Sequence, residues 1–581
     1  MSAEFPNKPP PLAWPRRSFV EWLQSLLARK PAHRTVPAGL YLVVILIAAI
    51  VLLPIVSVFA LGLTSPGDIW WHLASTVLPR AVVETLALMF GVAVLTLVFG
   101  TGTAWLVTMY RFPGRDLIDR LLVLPLAVPT YIMAYCYVEL LDSTGPLQTG
   151  LRAMTGWELA RDYWFPDIRS LGGAIFVLSC ALYPYVYLSA RAAFVQQSIC
   201  ALEVARTLGR SQTGALWSVA LPMARPALIA GVALALMECL NDIGAVEYLG
   251  VQTLTASIYA TWLERESLGG AAQIASVMLI IVFALFLAER HSRGDARYYQ
   301  ATGRYRPITF ARLAGWRGML CTVLCSLPLV FGFCVPGAIL LSNATSAGWD
   351  ALDDRFWRAM GHSFEISLLA AIVTVAVGLA LAYGQRANVR RLVKSAIGLA
   401  GLGYAVPGTI LAIGLLIPLA GLDNWLNEVA STLIGVSGGQ IFAGTIFTLV
   451  LAYAIRFSAI SLGALDAGLQ RISPSMDAAA RTLGEKPMGI VWRIHLPLLL
   501  PAIGTAALMV FVDSLKELPA TLLLQPFNVE TLATFVYGKA DAYEFEDAAV
   551  AALTIVAIGL LPVLLLHRAV AHGRPGAARG D

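Results

Sequence analysis

Two matched sets of ionisable and amide side chains, 275 positions apart, are the residues best placed to do chemistry. Glu238, Asn241 and Asp242 stand opposite Asp513, Lys516 and Glu517, and both sets interrupt long apolar runs. An ionisable side chain at mid-bilayer costs about 2.5 kcal/mol or more, which makes such residues functional suspects by default. Counting from Pro226 at a rise of 1.5 Å per residue, Glu238 lies about 18 Å and Asp242 about 24 Å along a helix. Their i,i+4 spacing puts both acids on one helix face. The chemistry on offer is binding, because carboxylate and amide oxygens are hard ligands suited to brief contact with a hard cation. The alternative is structural, with Lys516 neutralising Glu517 and the others bonding neighbouring helices.

Covalent chemistry has no comparable set. His291, His362, His495, His567 and His572 lie near the ends of apolar runs without an i,i+4 pair. Interfacial anchoring is the expectation for them, and no stable metal site is expected. The seven cysteines show no paired-ligand spacing, and Cys321 and Cys325 read as small buried hydrophobes. No G-x-x-x-x-G-K-[ST] phosphate loop occurs, so no cofactor is expected on this chain. Arg456 is expected to snorkel from within a span or from its end.

The elements that carry these residues follow from composition. The 581 residues are 58% apolar and only 13% charged, against about a quarter charged in soluble proteins. That excludes a disordered chain, a disulfide scaffold and an ordinary soluble enzyme, and leaves an all-α polytopic membrane protein. Twelve runs are long enough to cross about 30 Å of hydrocarbon. They are 38–62, 82–109, 118–141, 171–195, 226–249, 272–289, 317–342, 362–385, 395–420, 439–463, 499–524 and 547–567. With basic residues at span ends included, the segments on one side hold 31 Lys and Arg and those on the other only eight. The positive-inside rule then places both termini in the cytoplasm. No targeting peptide is evident before the first run near Ala38, and the net charge of +5 is spread over loops, so no nucleic-acid partner is expected.

The chain also repeats itself. Residues 202–227 and 477–502 share 11 of 26 positions, including Ala-Arg-Thr-Leu-Gly, a Trp and Leu-Pro. Ala127-Val128-Pro129 recurs as Ala405-Val406-Pro407, and Gly100 recurs as Gly378. The expected organisation is a segment 1–37, a six-span unit 38–290, a basic linker 291–316, a second unit 317–567 and a tail 568–581. An even span count gives both units the same orientation, related by an axis along the membrane normal. Each repeated segment should form a short helix–turn–helix whose first helix ends at Gly209 or Gly484, with proline at 222 or 497 breaking the second before the next span. Segment 143–170 is expected to hold an interfacial helix.

In the first copy of that segment, Glu203, Ala205, Gly209, Leu221 and Pro222 resemble the EAA loop of permease subunits of binding-protein-dependent ABC importers. In the second copy Ala480, Gly484, Leu496 and Pro497 match, but Ala478 replaces the glutamate and Asp477 stands beside it. The run 516–527, Tyr183-Pro184-Tyr185-Val186-Tyr187 and the run 241–248 are similar to the fused two-unit permeases of ferric-iron importers. Related permeases carry thiamine, polyamines or phosphonates. The resemblance implies two parallel six-helix permease repeats in a bacterial inner membrane. It also implies coupling loops that dock on two copies of a cytoplasmic ABC ATPase, which would hold the ATP and Mg. A periplasmic binding protein would deliver the cargo, and the six intramembrane residues would line its path. Twelve spans in two parallel units also fit a gradient-driven secondary transporter, against which the duplicated loop argues.

Overall fold

The computed structural model describes residues 38–64, 67–196, 207–209, 211–293, 311–349, 351–387, 391–435 and 438–572. Segment 1–37, Glu203, Ala205, most of the linker and the end of the tail lie outside the described residues. The regular elements of the described residues are all helices, apart from one two-residue parallel pairing of Tyr110–Arg111 with Ala311–Arg312. That pairing ties the end of the linker to the loop after the second span.

Among the described residues, eleven helices are long and apolar enough to cross a membrane, or twelve if a bent pair is one span. The bent pair corrects the expectation of a continuous helix over 118–141. Helices Arg115–Ala127 and Thr130–Thr155 meet at 95°. The matched region of the second unit, expected as one span over 395–420, is also broken. Helix Arg391–Ala400 runs through a 3-10 turn into Gly408–Ile434. Both breaks fall on the repeated Ala-Val-Pro. The ring of a proline drives the preceding residue out of the helical region. Val128 and Val406 are accordingly extended, at φ −95°, ψ 113° and φ −82°, ψ 120°.

Two further expectations need correction. The fifth span of each unit was expected to run to 249 and 524, but the helices stop at Asn241 and Leu515. Short helices Gly244–Tyr248 and Pro519–Leu524 follow each break. Nor do Leu221-Pro222 and Leu496-Pro497 break the helix before the span. Each proline follows one wide π-type turn, Leu216–Ala220 or Val491–His495, and the helix continues through it. The wider turn relieves the clash between the ring and the carbonyl one turn back. The same device, Val330–Cys334, precedes Pro336.

The first span of each unit packs both on the last span of its own unit and on the other unit. Ala38–Thr64 lies against Gly408–Ile434, Arg391–Ala400 and Leu268–Arg293, while Val335–Ala347 lies against Phe545–His572 and Thr130–Leu141. Gly414 makes the first contact possible, since a Cβ there would sit 2.3 Å from the Pro54 carbonyl oxygen. The segment 143–170 contains the helix Pro146–Thr155, with Trp157 stacked on Tyr163 at 4.8 Å and Trp164 exposed.

Candidate functional site: a central polar cavity and two projecting loops

The six intramembrane residues singled out from sequence do meet, at the ends of the fifth spans, around a shared polar cavity. The broken third spans supply the opposite wall, through Pro129, Thr130 and Tyr404.

Asp242 and Asn241 illustrate how the break works. Asp242 is extended at ψ 130°, so it leaves the helix that carries Glu238 and does not share a face with it. Its Oδ1 instead accepts from the N–H groups of Ala245 (2.8 Å) and Val246 (3.2 Å), capping the next short helix. Glu517 does the same in the second unit, accepting from the N–H groups of Ala520 (3.1 Å) and Thr521 (3.2 Å). A carboxylate at a helix N-terminus gains from the backbone dipoles as well as from the bonds. The Thr130 hydroxyl donates to Asp242. Its counterpart is Gly408, and the longer Glu517 side chain occupies the space a Cβ there would need, 2.6 Å from Oε1. One unit thus uses threonine with aspartate, the other glycine with glutamate.

Glu238 and Asn241 face across the unit boundary. Tyr404 O–H donates to Glu238 Oε1 at 2.6 Å, and Arg456 Nη2 lies 3.7 Å from Glu238 Oε2. Asn241 Oδ1 accepts from the Gly408 N–H and from Arg456 Nη1, each at 2.7 Å. In the second unit Lys516 pairs with Asp513 at 2.9 Å, on its own helix, rather than with Glu517. Arg456 does not snorkel. It is 4% exposed, midway along the helix Ile446–Gln470, with its guanidinium 5.8 Å from the Phe457 ring centre.

Arg456, Tyr404 and Tyr185 therefore belong to the site although sequence reasoning did not select them. The argument that selected Glu238, an ionisable group inside an apolar run, applies equally to Arg456. Tyr404 directly precedes the repeated Ala-Val-Pro, whereas Tyr185 carries no signal beyond its tyrosine-rich run.

Away from the repeated segments the two units are also bonded together beside the cavity. Tyr248 O–H donates to the Ala540 carbonyl, and Tyr537 O–H donates to Glu247 at 2.6 Å. The Arg169 guanidinium sits 5.9 Å from the Tyr248 ring centre and 5.7 Å from that of Tyr543.

Both repeated segments turn at their glycine; the helix before the turn is seen in the second, and in the first it lies outside the described residues. In the second, helix Pro474–Thr482 is capped by Ser473 and ends before Gly484, whose φ is +85°. Gly209 matches it at φ +81°. Leu208 and Leu483, just before these glycines, are both exposed, as are Trp217 and Trp492. Ala480 is buried under its helix, and Leu496 and Pro497 begin the following span. Asp477 is not a free stand-in for the missing glutamate, because Arg386 (3.0 Å) and His495 (2.7 Å) hold its carboxylate. His495 is buried there, not an interfacial anchor. Burial pushes the Asp477 carboxyl up, but the bonds from His495 and Arg386 outweigh it and leave it below the usual aspartate range. Among the described residues no group of three or more His, Cys, Asp and Glu is arranged to hold a metal ion.

Two six-span-like halves around a polar cavity, with a helix–turn–helix in the second and a matching glycine turn in the first, have the layout of a membrane transport component. The chain belongs to the family of binding-protein-dependent transport system inner membrane components, which matches residues 96–294 and again 375–575. It is a fused, two-unit permease of the ABC type. It is 26% identical over 552 residues to the Fe(3+)-transport system permease protein FbpB 2 of Haemophilus influenzae, covering 92% of this chain and 99% of that one. It is 21% identical over 534 residues to the ferric transport system permease protein FbpB of Actinobacillus pleuropneumoniae, covering 88% and 74%. The sulfate transport system permease protein CysT of Salmonella typhimurium is 30% identical over 239 residues, 40% of this chain and 83% of that one. The ferric-type relatives thus span both units and the sulfate relative only one.

Proposed function

We propose that this permease passes ferric iron from a periplasmic binding protein to the cytoplasm of a bacterial cell. The observation that carries the reading is the charge of the central cavity. Glu238, Asp242, Asp513 and Glu517 line it against only Arg456 and Lys516. An oxyanion such as sulfate would meet an excess of negative charge there, whereas a hard cation meets carboxylate, amide and phenol oxygens. The names of the full-length relatives point the same way.

Both termini are cytoplasmic in this reading, and the units 38–290 and 317–567 flank the linker on that side. The coupling loops 202–227 and 477–502 dock on two copies of an ATPase. Exposed Leu208 and Leu483, at matched places, offer each copy the same apolar contact. ATP binding and hydrolysis move the two loops and shift the population between states open to opposite sides. The permease supplies the path and the partners supply the differential binding.

The test is uptake of radiolabelled ferric iron into proteoliposomes that contain the chain, its ATPase and its binding protein, with ATP at the ATPase side. Entry that requires all three components supports importer and cargo together. ATP hydrolysis stimulated by a binding protein loaded with another ligand, without iron entry, would discard ferric iron.

A further inference from the structure

The Arg456 guanidinium is a buried charge with an incomplete shell. It carries five N–H donors in a fixed fork. In the structure Nη1 reaches Asn241 at 2.7 Å and the Val406 carbonyl at 3.4 Å, and Nη2 reaches Glu238 only at 3.7 Å. Nε has no partner at all, although the residue is 4% exposed. The Tyr131 hydroxyl, in the same cavity wall, is likewise buried without a partner. A desolvated ion pair is favourable only with good geometry and full hydrogen bonding, and this one has neither. The pair also joins the two units: Arg456 comes from the second and both its polar side-chain partners from the first. Its counterpart at the 275 offset is Ala181, so the arrangement is one-sided.

Asn241 and Glu238 are the oxygens that a cationic cargo would need. Glu238 is the less committed acid, because Asp242 and Glu517 cap helices and Asp513 is held by Lys516. The geometry points to Arg456 as a tethered cation that occupies the cargo's own oxygen ligands at Glu238 and Asn241, and that a hard cation must displace to be held in the cavity. This rests on the cationic-cargo reading above. The tether keeps the carboxylate from standing unpaired in the membrane when the cavity is empty, and it sets a threshold of charge for entry. A monovalent ion competes poorly with a guanidinium already in place, and a trivalent ion competes well.

The test uses the purified full chain in lipid nanodiscs and Tb3+ alone as probe, a hard trivalent cation whose emission is sensitised by nearby phenols such as Tyr404 and Tyr185. Arg456→Gln is expected to bind Tb3+ at least tenfold more tightly than the wild type, and Arg456→Lys, which keeps the charge without the fork, severalfold more tightly. In the Glu238→Gln/Arg456→Gln double variant the gain is expected to vanish. A merely structural arginine predicts weaker binding or none, and an arginine that holds an anionic cargo predicts no gain. Failure of both Arg456 variants to tighten binding overturns the proposal, as does a gain that survives without Glu238. If Arg456→Gln does not yield folded protein, Arg456→Lys decides alone. The cargo reading fails separately, by absence of ferric uptake in the wild-type proteoliposomes.

Discussion

The Asp477 carboxylate lies 2.7 Å from Nε2 of His495 and closes a contact between the helix Pro474–Thr482 and the start of the following span. Arg386, at the end of the helix Asp354–Ala387, completes the triad from the other side at 3.0 Å. The first unit has Leu202, Ala220 and Thr108 at the matched places, so this fastening belongs to one loop only.

A carboxyl held below its ordinary range stabilises the folded arrangement above that range and ceases to do so as pH falls through its lowered value. The wild-type loop should therefore keep the same hydrogen-exchange protection over 474–490 from pH 8 down to pH 5. It should loosen only below about pH 4, the ordinary aspartate region. Asp477→Asn removes charge-assisted bonds worth about 1.5–3 kcal/mol and should raise exchange there tenfold or more at pH 7. Equal exchange in both proteins would show that the triad does not fasten the helix.

Gly484 offers a separate handle on the same loop. No atom lies within 4 Å of where its Cβ would be, so a substitution there meets only the backbone penalty of φ +85°. That penalty is about 1–2 kcal/mol for most residues and smaller for asparagine. Gly484→Val should insert normally yet lose most ATP-coupled uptake, while Gly484→Asn should retain most of it. Comparable losses in both variants would mean that the glycine serves a close contact with the partner and not the turn.

Much of this arrangement was legible in the residues. The matched acids, the two glycine-ended loops and the apolar runs all follow from a 275-residue repeat and from hydropathy. What hydropathy could not show is where a helix breaks inside an apolar run. The segments around Val128 and Val406 are as apolar as any continuous span, and only the proline after each valine, acting on backbone angles, divides them. Asp242 was assigned to a helix face by its spacing from Glu238, but its short side chain caps the next helix more favourably than it extends the previous one. Arg456 escaped because a single arginine near aromatic residues reads as an interfacial anchor. Its partners, Glu238 and Asn241, lie more than 200 residues away in the other unit.

The Gly408–Glu517 pair gives a test of how the two halves compensate each other. An alanine at 408 would place its Cβ 2.6 Å from Glu517 Oε1 and 2.9 Å from the Ala520 nitrogen. Gly408→Ala should therefore displace the capping carboxylate and lower the melting temperature, with a cost of about 1–3 kcal/mol. Gly408→Thr/Glu517→Asp rebuilds the Thr130–Asp242 arrangement of the first unit and should recover most of that loss. The coupling energy from the double-mutant cycle should be about 1 kcal/mol or more. Additive losses would show that the two sites are not equivalent.

Arg169 closes the far end of the molecule in a way that a labelling experiment can read. Its guanidinium lies 5.9 Å from the ring centre of Tyr248 in its own unit and 5.7 Å from that of Tyr543 in the other, and its Nη2 donates to the Tyr543 hydroxyl at 3.0 Å. Cation–π contacts of this kind contribute about 0.5–2 kcal/mol each, and here the one to Tyr543 bridges the units next to the Tyr248–Ala540 and Glu247–Tyr537 bonds. Arg169→Ala should therefore raise the fraction of molecules open at that end. A cysteine placed at Leu126, in the cavity wall, should react severalfold faster with a membrane-impermeant maleimide supplied from that side in Arg169→Ala than in the parent. Arg169→Lys, which keeps the charge but loses the fork of donors, should fall between them. The cysteine is placed in a parent with Cys334 and Cys321 replaced by serine, because Cys334 is exposed and Cys321 half-buried, while Cys136, Cys180, Cys239 and Cys325 are buried. An unchanged rate would assign closure to the Tyr248 and Tyr537 hydrogen bonds alone, and the same measurement on Tyr248→Phe would then show the increase.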